Sequence, residues 1–238
     1  MQAQTGRSAS ASPAAADAGW TQDLRERVVR HVLLKVLGVT AFMWVFFQGY
    51  FHTLREPVYP VMLMPLTALD ALIPFQPSMF WAYVSLWLYV GVAPGLVLTL
   101  RELVQYGAWA AALCITGLLI FYFWPTAVPP HGLDTSGHPG FAVLQGVDAA
   151  GNACPSLHVG TAVFTAFWVT RLLRLTQAPW PLHALNLLWL LAIAWSTVAI
   201  RQHVVLDAVA GAALGTAFAL LSLRLSPRLG SRPQVTRP

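Results

Sequence analysis

Six transmembrane helices in an all-α integral-membrane bundle are what this chain points to, for three reasons. Of its 238 residues, 57% are hydrophobic and 10% are charged, whereas a water-soluble domain carries roughly a quarter charged residues. The apolar residues gather into runs of about 20, the length that crosses about 30 Å of hydrocarbon as a helix. The basic residues fall between these runs with a strong bias to one side. A mean hydropathy of +0.61, together with ten Trp and twelve Phe, excludes a disordered chain, a collagen-like repeat, a disulfide scaffold and an ordinary cytosolic enzyme.

Residues 1–30 are expected to be a disordered cytoplasmic tail. Their first 22 residues are rich in Ala, Ser and Gly and contain no apolar run, so they hold neither the core of a signal peptide nor anything to bury. Arg25, Arg27, Arg30 and Lys35 lead into the first span, residues 32–51. Residues 55–77 are apolar but interrupted by Pro57, Pro60, Pro65, Pro74 and Pro77 and carry Asp70; that pattern suits an interfacial or re-entrant segment rather than a span.

The second span is residues 79–100, with Trp81, Tyr83, Trp87 and Tyr89 near its start, where amphipathic rings favour the membrane interface, and with Pro94 as a kink. The third, residues 106–124, is ended by Pro125. A polar loop over residues 126–155 follows, and residues 158–173, 182–200 and 204–223 make the fourth, fifth and sixth spans, separated by Gly and Pro clusters. Residues 31–224 thus form one membrane domain, and residues 225–238 form a basic cytoplasmic tail.

Counting charge tests this partition. With a cytoplasmic N-terminus and six spans, the cytoplasmic segments hold Arg7, Arg25, Arg27, Arg30, Lys35, Arg101, Arg171, Arg174, Arg224, Arg228, Arg232 and Arg237, against Arg55 and Arg201 on the opposite side. This asymmetry is the one the positive-inside rule requires. It also accounts for the net charge of +5 and the pI of 9.7, so no nucleic-acid partner is expected: the basic residues are spread over four cytoplasmic segments. With no cleavable signal, the expected location is a bacterial inner membrane. The two cysteines, Cys114 in an apolar run and Cys154 in a loop, read as free thiols.

Three chemically capable residues then share one membrane face. His158 opens span four, and His203 and Asp207 open span six; one round trip of the chain separates them, so both sites return to the non-cytoplasmic side. His203 and Asp207 are four apart, on one helix face, where a carboxylate can hold one imidazole nitrogen and make the other a better nucleophile or base. An ionised Asp207 inside an apolar run costs about 3 kcal/mol unless it is paired. Ser156 stands as N-cap before His158, and the free N–H groups of a first turn make an anion site. Arg201 adds a planar cation suited to phosphate oxygens. His131, Asp134, His138 and Asp148 in the long loop match no metal-ligand spacing. Gly211 and Gly215, with Ala208 and Ala212, form a small-residue face for close helix packing.

Pro155-Ser156-Leu157-His158, followed by Arg201-Gln202-His203-Val204-Val205-Leu206-Asp207 and Gly211, resembles the second and third motifs of the type 2 phosphatidic acid phosphatase superfamily. The resemblance is closest to the membrane branch that includes inositol phosphorylceramide synthases. It implies a metal-independent, cofactor-free lipid phosphatase acting on a lipid phosphate at bilayer level, or alternatively a phosphotransferase moving a phospho-headgroup between lipids, or a non-catalytic lipid-binding relative. It further implies that His203 is the nucleophile that forms a phosphohistidine, that Asp207 orients it, that His158 is the general acid and that Ser156 binds phosphate.

The chain also departs from that pattern. Where the first motif carries Lys and Arg, this chain has Pro125-Thr126-Ala127-Val128-Pro129-Pro130-His131, and where the third motif carries Ser-Arg it has Ser196 and Thr197. Two phosphate-clamping cations are therefore absent. Arg201, and more weakly His131, stand where they would substitute, and the shortage tilts the expectation toward a phosphate of lower charge.

Overall fold

The computed structural model describes residues 13–130, 132, 140, 141, 144 and 151–226. The first described element is a helix, α1 (Pro13–Val29), within the stretch 1–30 where a loose tail was expected. Its C-terminal turn is anchored: Arg27 is buried, bonds Asp23 one turn back at 3.1 Å and reaches the Leu96 carbonyl at 3.4 Å. A charged stretch without an apolar run gave no sign of this, because the partners are backbone carbonyls. Lys35 does the same next door, donating to the carbonyls of Arg27 and Gly95.

The first span is α2 (Val32–Arg55). The proline-broken stretch after it contains a short strand, β1 (Met62–Leu63), and the single-turn helix α3 (Ala68–Leu72), whose capping box is made by Thr67 and Asp70. The second span is not one continuous helix. A 3-10 turn (Pro77–Met79) leads to three short pieces, α4 (Phe80–Val84), α5 (Leu86–Tyr89) and α6 (Val92–Leu96), with Pro94 inside the last. Then come α7 (Leu100–Phe123), capped by Thr99 and Glu102, and β2 (Thr126–Ala127), which pairs in parallel with β1. The loop expected from residue 126 therefore begins as a strand, and Thr126 also bridges to Asn152. The chain closes with α8 (Leu157–Leu175), α9 (Trp180–Ala199) and α10 (Val205–Leu225).

Five of these segments are long and apolar enough to cross a membrane: Val32–Arg55, Pro77–Leu96, Leu100–Phe123, Trp180–Ala199 and Val205–Leu225. The expected fourth span, now α8, is 19 residues long but is not among them. The physical reason lies in its position. Helix α8 is the centre of the bundle, packed by α10, α9, α6 and α7, and its buried faces need no lipid-compatible surface. They therefore carry His158, Gly160 and Thr165, while Arg171 and the exposed Arg174 lie near the helix's C-terminal end. The outer helices show the opposite pattern, with Leu33, Leu37, Trp44, Val104, Leu188 and Val209 exposed, as apolar residues facing hydrocarbon should be.

Inside the bundle, polar side chains join the helices to one another. Trp168 donates to the Ser222 hydroxyl at 3.0 Å, and Asn186 joins α9 to α8 through the Ala166 carbonyl and the Thr170 hydroxyl, each at 3.0 Å. Such bonds hold membrane helices together where apolar contact with lipid is equally good. The small-residue face of α10 meets α8 as expected. A Cβ on Gly211 would strike the Ser156 carbonyl, and one on Gly215 would strike the Gly160 carbonyl. The two cysteines are free, Cys114 buried in the core and Cys154 half-buried.

Candidate active site

Ser156 caps α8 as its type and position require: its hydroxyl accepts from the Val159 N–H at 3.2 Å. Its own N–H donates to the Asp207 carbonyl at 3.0 Å, which ties the start of α8 to the first turn of α10. One residue into α8 comes Leu157, and then His158, which points across to the α4 piece. Its Nε2 donates to the Tyr83 carbonyl at 3.0 Å, and its ring stacks on the Tyr83 ring with centroids 3.9 Å apart and planes 12° apart. A carbonyl oxygen only accepts, so Nε2 carries the proton and Nδ1 is the nitrogen left for chemistry.

The turn between α9 and α10 brings in the second histidine. Arg201 sits there at φ 61°, and the N–H groups of Gln202 and His203 both donate to the Thr197 carbonyl at 3.0 Å. His203 Nδ1 then lies 3.6 Å from Asp207 Oδ2, a close approach that is longer than a formed hydrogen bond, as catalytic contacts often are before substrate arrives. Asp207 is fully buried, and its Oδ2 accepts from the Val204 N–H at 3.0 Å. Its Oδ1 has no nitrogen or oxygen donor among the described residues. The Cys154 thiol faces this carboxylate, and burial together with the Asp207 charge pushes it up to about 11.

His158 and His203 both line a cavity of about 720 Å³. Most of the rest of its wall is apolar and aromatic, including Phe42, Phe46, Trp87 and Leu113, with Asn152, Thr161 and Thr165 as polar members. Along α2 it runs from Gly38 to Phe51, about 20 Å of helix at about 1.5 Å per residue. Asn152 closes the histidine end, its amide donating to the Tyr50 carbonyl at 2.9 Å and the Thr53 hydroxyl at 3.1 Å. The arrangement combines two imidazoles, one backed by a carboxylate, with a long greasy slot. That combination suits nucleophilic attack on a polar group carried by an apolar tail.

The other expected residues are placed differently. Ser156 is fully buried, does not line the cavity, and spends its hydroxyl oxygen on the helix cap. Arg201 is not in the cavity wall either: Nη1 donates to the Asp70 carbonyl at 2.9 Å and Nη2 to the Ile73 carbonyl at 2.6 Å. Those carbonyls are left without helical partners by the short α3, and buried carbonyls demand donors. His131, with Asp134, His138 and Asp148, lies outside the described residues.

Three contributors had gone unnoticed as parts of the site. Tyr83 holds His158 through a backbone carbonyl and a ring face, for which sequence carries no signal beyond its aromatic character. Cys154 reaches Asp207 across the α8–α10 contact. Asp70 accepts the Val205 N–H at 2.8 Å on Oδ1, and it accepts the Thr67 N–H and hydroxyl on Oδ2 at 2.7 and 2.6 Å. For Asp70 a signal existed: an acid alone in an apolar stretch, three residues after a threonine.

Neither the curated proteins nor the solved structures compared with this chain give a match. A family model does, over residues 36–231, which takes in most of α2 and every residue of the site just described. With its Pro-Ser-x-His and His-x-x-x-Asp segments brought together at one end of a membrane bundle, the chain belongs to the PAP2 superfamily, that is, the type 2 phosphatidic acid phosphatase superfamily.

Proposed function

We propose that this multi-pass membrane protein cleaves a phosphate ester of a lipid through a phosphohistidine on His203, at the non-cytoplasmic face of the membrane. Members of the superfamily are phosphoric ester hydrolases or transferases, and the reading for this chain rests on one observation: His158 and His203, the latter backed by the buried Asp207, line the same largely apolar cavity. The polar end takes the phosphate and the apolar length takes a tail.

In the first half of the reaction His203 Nε2 attacks phosphorus. A P–N bond forms, the P–O bond to the leaving alcohol breaks, and His158, entering the step as the imidazolium, gives its Nδ1 proton to the departing oxygen while its Nε2–H stays on the Tyr83 carbonyl. The buried Asp207 carboxylate stabilises the positive charge that builds on the His203 ring. In the second half water or an alcohol gives its proton to His158 as its oxygen displaces His203 from phosphorus. Hydrolysis and transfer differ only in that acceptor. The acid and base roles of the two rings support a bell-shaped pH profile.

The test is to trap the phosphoenzyme. Purified protein is mixed with lipids labelled on phosphorus, quenched and digested, and an acid-labile label on the peptide containing His203 is the expected result. Absence of label with every lipid, or an undiminished label in His203→Ala, would sink the assignment.

A further inference from the structure

The N-terminus of α10, which begins two residues after His203, already holds an anion. Its first two N–H groups are given to carboxylates of the protein itself: Val204 to Asp207 Oδ2 at 3.0 Å and Val205 to Asp70 Oδ1 at 2.8 Å. Both carboxylates are buried, Asp70 2% exposed and Asp207 fully enclosed. A helix N-terminus ordinarily offers such N–H groups to a substrate's phosphate. Here Asp70, delivered from α3 some 135 residues away, takes one of these N–H groups with its own carboxylate.

The cation balance points the same way. No Lys or Arg lines the cavity, and residues 131–150, most of which are outside the described set, contain neither. Arg201 is turned to the Asp70 and Ile73 carbonyls, with its charge beside the Asp70 carboxylate. Arg55 is exposed at the end of α2, its guanidinium 5.1 Å from the centroid of the Phe51 ring. Behind the cavity wall, at the start of α10, there are therefore two buried carboxylates, with one arginine committed to the segment carrying the first of them. A phosphomonoester brings close to two negative charges at neutral pH, a phosphodiester only one.

Building on the lipid-phosphate reading, we propose that Asp70 is a specificity-determining residue that sets this site for singly charged phosphodiester lipids over dianionic phosphomonoester lipids. With a diester, attack by His203 breaks one P–O ester bond and leaves the other on the phosphohistidine. The displaced alcohol takes the proton from His158, and water or an acceptor alcohol completes the turnover. The remote carboxylate acts by charge at the helix terminus and does not touch the reacting atoms.

The experiment compares kcat/KM of the full-length protein, in mixed micelles at pH 8, on dioleoyl phosphatidic acid and on dioleoyl diesters with glycerol, inositol and ethanolamine headgroups. At least one diester is expected to exceed phosphatidic acid tenfold or more. Asp70→Asn, which keeps an acceptor for Val205 but removes the charge, is expected to move the ratio at least about tenfold toward phosphatidic acid. Thr161→Lys, which adds an ammonium to the cavity wall one turn after His158, is expected to move it in the same direction and serves if the first variant fails to fold. Phosphatidic acid cleaved as fast as every diester overturns the proposal while leaving the lipid-phosphate reading intact. A ratio that neither variant moves removes Asp70 from the role. No turnover and no phosphoenzyme with any of these lipids overturns both.

Discussion

The Ser156 N–H donates to the Asp207 carbonyl across 3.0 Å, so the two segments that carry the histidines are joined backbone to backbone. That contact requires α8 and α10 to approach without side chains between them, and Gly160, Gly211 and Gly215 supply the room. Each of these glycines faces a carbonyl of the opposite helix, which cannot swing aside as a flexible side chain would.

Gly215→Ala is accordingly expected to lower stability by about 1–3 kcal/mol, the usual range for overpacking a close contact. Gly107→Ala is the control. Nothing lies within 4 Å of a Cβ there, and the exchange should stabilise α7 by about 0.5–1 kcal/mol through helix propensity. Thermal unfolding in detergent, followed by circular dichroism, reads both, and the two shifts should have opposite sign.

His203→Ala should reduce turnover on the order of 10³-fold or more while leaving the fold unchanged, because among the described lining residues His203 is the nucleophile that stands beside a buried carboxylate. Single-turnover assays alongside size-exclusion profiles distinguish lost chemistry from lost structure. Retention of a tenth of the wild-type rate would be incompatible with the nucleophile assignment.

Asp70 gives a pH signature. Burial pushes its carboxyl upward, but the Thr67 hydroxyl and N–H, the Val205 N–H and the Arg201 charge together outweigh this and hold it below the usual carboxylate range. A depressed folded-state pKa stabilises the protein above the unfolded value of about 3.9, and that contribution fades as pH falls from there through the folded value. Asp70→Ala should therefore cost about 1–3 kcal/mol at pH 7 by leaving buried donors unpaired. The gap to wild type should narrow below about pH 4, as measured by melting temperature against pH.

Cys154 should label slowly. With its thiol pushed up to about 11 by burial and by Asp207, roughly one in a thousand is thiolate at pH 8, and the thiolate is the reacting form. Asp207→Asn removes the repulsive charge and should speed alkylation several-fold, read by mass spectrometry of the Cys154 peptide. Equal rates in both proteins would show that the carboxylate does not reach the thiol.

The far end of the cavity predicts chain-length selectivity. Nothing lies within 4 Å of a Cβ at Gly38, yet Gly38 lines the cavity end remote from the histidines. Gly38→Leu should therefore lower kcat/KM for long-tailed substrates about tenfold relative to short-tailed ones, through a lost apolar slot worth about 25 cal/mol per Å². Assays with acyl chains of graded length decide it; an equal change for all lengths would place the tail elsewhere.

Composition alone determined that this is a membrane protein, because a chain with 10% charged residues cannot cover itself in water. Spacing alone marked His158, His203 and Asp207, because ionisable groups in apolar runs are expensive and four residues on a helix make neighbours. Gly211 and Gly215 were legible as a packing face for the same reason of periodicity. The continuity of the spans was less legible: α8 is polar because it is central, and hydropathy measures contact with lipid, not position in a bundle.

Tertiary structure alone decided what each charge and hydroxyl does. Arg201 and Ser156 carry the chemistry of phosphate ligands in their side chains, but carbonyls and N–H groups left open at the ends of α3 and α8 claim them first. Asp70 reads as an acid in a proline-broken segment, yet it closes the terminus of the helix that follows His203. Backbone groups buried away from water must be paired, and which side chain pairs them depends on which helix ends the fold brings together. That juxtaposition spans more than a hundred residues and leaves no periodic trace in the sequence.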